Sequence, residues 1–215
     1  MPISRPRASH VHPPGWFQRL ADRIRGREQL LVRAGDDMPL LLISYPKGSP
    51  EAAAAVETGY AHTLRALAPQ LRARYQEVLL SLPPLVVVVL RTRNACGCLG
   101  HHHPRGAESR LTRRLAEDLG SQVGEIDLAY EGIREWRPQP LSSMALGELG
   151  GRGEALHCLA ATLAVLLHEL EHLAYPDRSE REIRARSNDF YAAAMEDLVS
   201  GETNLDFGMA APPRS

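Results

Sequence analysis

The chain has 215 residues, 44% of them hydrophobic, a formal net charge of −1 and three cysteines. That length and apolar content suit one domain with a real core. The near-zero charge gives no electrostatic pull toward nucleic acid or an anionic surface. An odd set of cysteines, Cys96, Cys98 and Cys158, makes no disulfide framework and points to a reducing compartment.

Residues 1–14, rich in Pro, His and Arg, are expected to form a mobile N-terminal segment. One domain is expected over 15–199, with its core in 85–199, and residues 200–215 read as a disordered tail. The N-terminus lacks the apolar core of a secretory signal. No apolar run was expected to approach the ~20 residues that span a bilayer. A soluble, cytoplasmic protein without a membrane partner follows as the expectation. Arg5, Arg7, Arg19, Arg23, Arg25 and Arg27 make a basic stretch. No nucleic-acid fold signature accompanies it, so it reads as a solvated face rather than a nucleic-acid site.

Phe17, Leu20 and Ile24 have helical spacing, which predicts a helix from Trp16 to Ile24. Met38–Tyr45 predicts a strand. Ser49-Pro50-Glu51 is a helix start with proline at the first position. The pattern from Ala52 to Leu82 predicts one long helix, breakable at Pro69 and stopped by Pro83-Pro84. Leu85–Leu90 is β-branched and apolar on both faces, as a central strand is. The segment NACGCLGHHHPRG follows, punctuated by glycine. Its Cys96, Cys98 and His101–His103 could hold a second metal, line a cleft or serve no special role. Ala107–Leu119 predicts a short amphipathic helix ended by Gly120. Glu125–Tyr130 alternates polar and apolar residues and reads as a half-exposed strand. Residues 137–153 read as a loop, and two helices follow, about Glu154–Ala174 and Glu180–Val199. The fold class is α+β, with a small mixed sheet.

The stretch LLHELEH, residues 166–172, interrupts the first of those helices with ionisable residues. Leu156, Leu159, Leu163, Leu166, Leu167, Leu170 and Leu173 make the helix apolar and buried. Charges inside it would be costly unless paired or metal-bound. His168 and His172 are four apart and share one helix face. Two imidazoles so placed can reach one Zn²⁺. Glu169 lies beside them, placed to take a proton from water as a general base. The plainer alternative is a polar stripe of His157, His168, Glu169, Glu171 and His172 in solvent. His157 is about 16 Å from His168 along the helix and is out of reach of the same ion.

A catalytic zinc needs a third protein ligand. If the next helix starts at Ser179 and folds back, Glu182 comes level with the histidines. Asp189 lies roughly 10 Å deeper, and Asp177 and Glu180 fall in the turn. Ser179-Glu-Arg-Glu182 is also a capping box, which offers Glu182 a rival role.

HELEH followed by the acid of E-I-R-A, Glu182–Ala185, resembles the gluzincin branch of zincin metallopeptidases. The VVVV strand, the Cys/Gly/His segment and GEIDLAYEGI before the motif helix are similar to minimal metallopeptidases of the SprT-like and ImmA/IrrE-like kind. The resemblance implies a zinc-dependent peptidase with His168, His172 and Glu182 as ligands and Glu169 as base. It implies that Glu125, Ile126, Asp127, Leu128, Ala129 and Tyr130 form an exposed edge strand that holds a protein or peptide substrate. Tyr175, Tyr191 and His101–His103 are candidates to steady an oxyanion. The alternative function is a regulatory or interaction protein on the same scaffold, with its metal structural or absent.

Overall fold

The computed structural model describes residues 26–35, 38–64, 69–136 and 150–200. The expected N-terminal segment, the Trp16–Ile24 helix, most of the 137–153 loop and the tail beyond Ser200 lie outside them. The described chain is α+β. Five strands form an open mixed sheet in the order β1-β2-β3-β5-β4. The strands are β1 (Arg27–Arg33), β2 (Leu40–Pro46), β3 (Leu85–Arg91), β4 (Gly100–His102) and β5 (Val123–Ala129). β2, β3 and β5 are parallel, and β1 and β4 run antiparallel at the two edges. Six α-helices accompany them: α1 (Pro50–Glu57), α2 (Pro69–Leu80), α3 (Arg110–Leu119), α4 (Tyr130–Glu135), α5 (Gly150–Ala174) and α6 (Glu180–Ser200).

The long helix expected from Ala52 is broken into pieces. α1 runs into a π-helical segment, Thr58–Thr63, and Pro69 opens α2. In the π segment Tyr60 is fully buried and its hydroxyl donates to the Pro39 carbonyl.

The period-two alternation of the strands divides the core. Leu41, Ile43, Val86, Val88, Leu90, Ile126 and Leu128 face α5 and the helices around it. Leu42, Leu85, Val87 and Val123 face the other way, under Leu111 and Leu115 of α3. The apolar run of β3 is therefore apolar on both faces because both faces are covered. Ser109 caps α3, its side chain accepting from the Thr112 amide, and Gly120 closes it in the left-handed region.

α5 is the core helix. Gly153–Ala174 has the length and composition of a membrane span, with mean hydropathy 1.2, yet 78% of that window is buried inside the domain. This corrects the expectation that no run approaches that length. The apolarity is answered by protein, against the sheet, α1, α2 and α6.

Two expectations for Glu125–Tyr130 are overturned. β5 is an interior strand, paired with β3 on one side and β4 on the other, and all seven of its residues are buried. Tyr130 is not in the strand but begins α4. The polar residues of β5 read as solvent-facing, but they are buried with partners. Glu125 accepts from the Ser109 amide at 2.7 Å, and Asp127 accepts from Arg91 Nε at 2.6 Å. The open edge on that side belongs to β4.

At the corner between α5 and α6, Glu171 is fully buried and ion-paired to Arg178 and, at 2.8 Å, to Arg186. Arg178 also stacks on Tyr175, 4.2 Å from the ring centre. The Tyr175 hydroxyl donates to Glu77 Oε1 and lies 3.1 Å from Ser81 Oγ at the end of α2. A buried charge whose partners reach it from a later turn and helix fixes the fold-back. Glu171→Gln should lower the unfolding free energy by about 3 kcal/mol, the cost of leaving a buried pair broken. Urea denaturation measures it, and an unchanged midpoint would remove Glu171 from this role.

Candidate metal centre and its cleft

His168 and His172 stand on one face of α5, as their spacing requires. Their Nε2 atoms converge on a single carboxylate oxygen, Glu180 Oε2, at 3.5 Å and 2.9 Å. Glu180 is the first residue of α6. One donor atom from each of the three lies within 4.8 Å of the other two. Glu182, expected in this place, is turned away. Its carboxylate lies 3.6 Å from Arg178 Nε, and its amide donates to Ser179 Oγ at 3.3 Å. The capping serine acts as the S-x-x-E pattern foretold. The fold-back places Glu180, two residues before Glu182, over the histidines.

His168 is oriented by Ser187, which is buried in α6. The Ser187 hydroxyl donates to the Arg184 carbonyl at 3.1 Å. Its oxygen is then the acceptor for His168 Nδ1, also at 3.1 Å. With the Ser187 hydroxyl directed to Arg184, the imidazole proton would sit on Nδ1 and the Nε2 lone pair would face Glu180 and an ion bound beside it.

Glu169 is 5% exposed and lies against β4. It can do so because position 100 is glycine. A Cβ there would come 2.4 Å from Glu169 Oε1 and 2.5 Å from its Cγ. The His102 amide bonds to the same carboxylate. His102 stacks on His172, with centroids 4.6 Å apart, and its Nδ1 lies 3.9 Å from Glu169 Oε2. Burial, reinforced by the charge of Glu180, pushes the Glu169 carboxyl up to about 8. Burial and the neighbouring imidazoles hold His102 down to about 4, so it is neutral at pH 7. Burial also lowers His168, with Glu180 pulling the other way. Partial burial works to raise Glu180, but Arg184 and the two histidines outweigh it and hold the carboxyl low.

These groups open into a cleft of about 900 Å³. Its walls include Gly100, His101 and His102 of β4, Trp136 after α4, and Arg184 and Asn188 of α6. Cys96 and Cys98 stand at its rim, joined as a disulfide across Gly97, whose φ is +72°. The pair closes a local ring that the glycine permits, and with Cys158 free it ties no two elements of the fold together. Of the oxyanion candidates, His101 and His102 line the cleft. Tyr191 is buried, its hydroxyl 2.6 Å from His157 Nδ1, and Tyr175 is engaged at α2. His157, far from the ion site as expected, is a core histidine. Sequence reasoning missed Glu180, Ser187 and Gly100. The i, i+7 relation of Glu180 to Ser187 on α6 was the available signal.

Compared with protein-family models, with curated proteins and with solved structures, the chain matches none of them.

Gly100→Ala should displace Glu169 and cost about 1–3 kcal/mol of stability, as overpacking does. In a Glu169→Ala background the same change should cost little, a coupling read from a double-mutant cycle of unfolding free energies. Additive costs would mean that the two residues do not meet.

Proposed function

We propose that this chain is a zinc-dependent peptidase, with His168, His172 and Glu180 as metal ligands and Glu169 as general base. The observation that carries the reading is the convergence of two imidazole Nε2 atoms on one carboxylate oxygen, with a second, buried carboxylate beside them. The donor set fits the ion. Two nitrogens and one oxygen are a common set for a zinc that keeps an open position, and Ser187 is placed to orient His168 through Nδ1 for ligation by Nε2.

The zinc ion, when bound, supplies Lewis acidity and makes water a nucleophile near neutral pH. The remaining work falls to the chain. Beside a bound cation Glu169 is favoured as the carboxylate against the burial that raises it, and in that form it removes the proton from water and returns it to the leaving amine. His102, neutral and beside Glu169, can donate its imidazole N–H to a developing oxyanion. The substrate strand would add to β4 rather than to β5. His103 N–H pairs with the Glu125 carbonyl, and the Leu99 carbonyl pairs with the Ala129 amide. In an antiparallel ladder the main-chain groups of Gly100 and His102 then point away from β5; the His102 amide is taken by Glu169, which leaves the Gly100 groups and the His102 carbonyl along the edge. An extended peptide hydrogen-bonded there would run beside Glu169 and the histidines, which favours a peptide bond as the target over a compact small molecule. Arg184 and Asn188 on the opposite wall offer polar contacts to its side chains.

Glu169→Gln should retain zinc and lose at least about 100-fold in hydrolysis of unfolded protein substrates, the usual scale for a general base. Glu180→Ala should weaken zinc binding by more than the roughly 10- to 100-fold typical of second-shell losses, and Glu182→Ala should leave it unchanged. Zinc held normally by Glu180→Ala but lost by Glu182→Ala would return the ligand to position 182. Full hydrolysis by Glu169→Gln would end the peptidase reading.

A further inference from the structure

The histidine run His101-His102-His103 serves both faces of the sheet. β4 pairs in register with β5, so His102 lies opposite Ile126 and faces α5, while His101 lies opposite Asp127, exposed at the strand edge where it also reaches the cleft. His103 lies on the other face. There it meets Glu125 and Asp127, and one donor atom from each of these three lies within 4.8 Å of the other two. This cluster is separate from the cleft and on the far side of the sheet from HELEH.

We propose that His103, Glu125 and Asp127 form a second divalent-cation site. Two observations carry it independently. The first is the donor set itself, an imidazole and two carboxylates from adjacent strands, three ligands of the kind that hold zinc with a water completing the shell. The second is an unmet need inside it. The Asp127 side chain is 9% exposed, and its Oδ1 is buried with no hydrogen-bond partner. His103 Nε2 is likewise buried without one, although it stands 3.5 Å from Asp127 Oδ2. Buried polar atoms left unsatisfied are costly, and two in one carboxylate–imidazole cluster are accounted for by a shared ion.

The neighbouring charges do not fill that need. Arg91 bonds Asp127 Oδ2, leaving Oδ1 open. The Ser109 amide takes Glu125 Oε2. Arg27, which also feels Asp127, is spent on Ser44 and the Leu90 carbonyl. The charges of Arg91 and Arg27 balance the two carboxylates, but neither guanidinium reaches Asp127 Oδ1 or His103 Nε2, so the need that a cation would meet is one of open ligand atoms. The imidazole argues for a zinc-like metal over magnesium or calcium. The consequence is structural. An ion here would fasten the edge strand to β5 through His103, and so hold Gly100 and His102 in place at the cleft on the other face. The cysteines are not part of it. Cys96 and Cys98 are bonded to each other at the cleft rim.

The test is zinc titration by calorimetry on the full chain with His168→Ala and His172→Ala together, which removes the HELEH ligands. About one equivalent should still bind and should raise the melting temperature in proportion to the logarithm of zinc concentration. Adding Asp127→Asn, which keeps the side-chain shape, should weaken that binding at least about tenfold, and so should His103→Ala. His101→Ala, a neighbouring exposed histidine, should leave it unchanged. A folded double variant, judged by circular dichroism, that binds no zinc would overturn the proposal, as would binding that survives both Asp127→Asn and His103→Ala. Wild-type protein binding one equivalent that Asp127→Asn removes and the double variant keeps would sustain this site and sink the HELEH reading.

Discussion

The domain is organised around one constraint. Its core helix, α5, carries four ionisable residues within five positions, His168, Glu169, Glu171 and His172, at a depth where charge without a partner is not tolerated. Each is met by a different element. Glu171 is met by Arg178 and Arg186, which fixes the corner and the direction of α6. The histidines are met by Glu180 and Ser187 of the helix thus returned. Glu169 is met by the edge strand, through the His102 amide and the gap left at Gly100. Structure and site therefore share their causes. The interactions that make α5 buriable are the ones that gather two imidazoles and two carboxylates at the head of a cleft.

The sheet works in the same economical way. Its parallel middle is covered on both faces, so alternate residues of each strand serve different helices. β4 is three residues long, yet it and the residue after it border two separate polar clusters. Gly100, His101 and His102 border the cleft, while His103, just beyond the strand, meets the acids of β5. A short edge strand of this kind is held by few main-chain bonds, and what lies on either face bears directly on its position.

Much of this was legible in the sequence. The leucine spacing around HELEH marked α5 as a buried helix, the both-faced apolar run marked β3 as central, and Ser49-Pro50 and Gly120 marked helix ends. The errors have physical origins. The acid that meets the histidines was read at Glu182 because Glu180 was placed in the turn; Glu180 instead opens α6 and reaches both imidazoles, while Glu182 lies beside Arg178. Glu125 and Asp127 alternate with apolar residues, the pattern of a solvent-facing strand. Their partners, the amide of Ser109 and the guanidinium of Arg91, are 16 and 36 residues away and invisible to a local pattern. β1 and β4 were missed for related reasons. REQLLVR has charged ends, and Gly-His-His is too short to show alternation. The π-helical stretch after Glu57 breaks a continuous apolar pattern without any proline or glycine pair to announce it beyond Gly59.

The central claim is that the α5 histidines and the first acid of α6 hold a zinc ion. Crystallographic diffraction at the zinc absorption edge, from protein loaded with one equivalent, tests it most directly. The account predicts an anomalous peak about 2.0–2.1 Å from Nε2 of both His168 and His172 and within about 2.2 Å of a Glu180 oxygen. Ordered density for this helix pair with no anomalous peak between the histidines, or with the ion bound by Glu182 in place of Glu180, would contradict it.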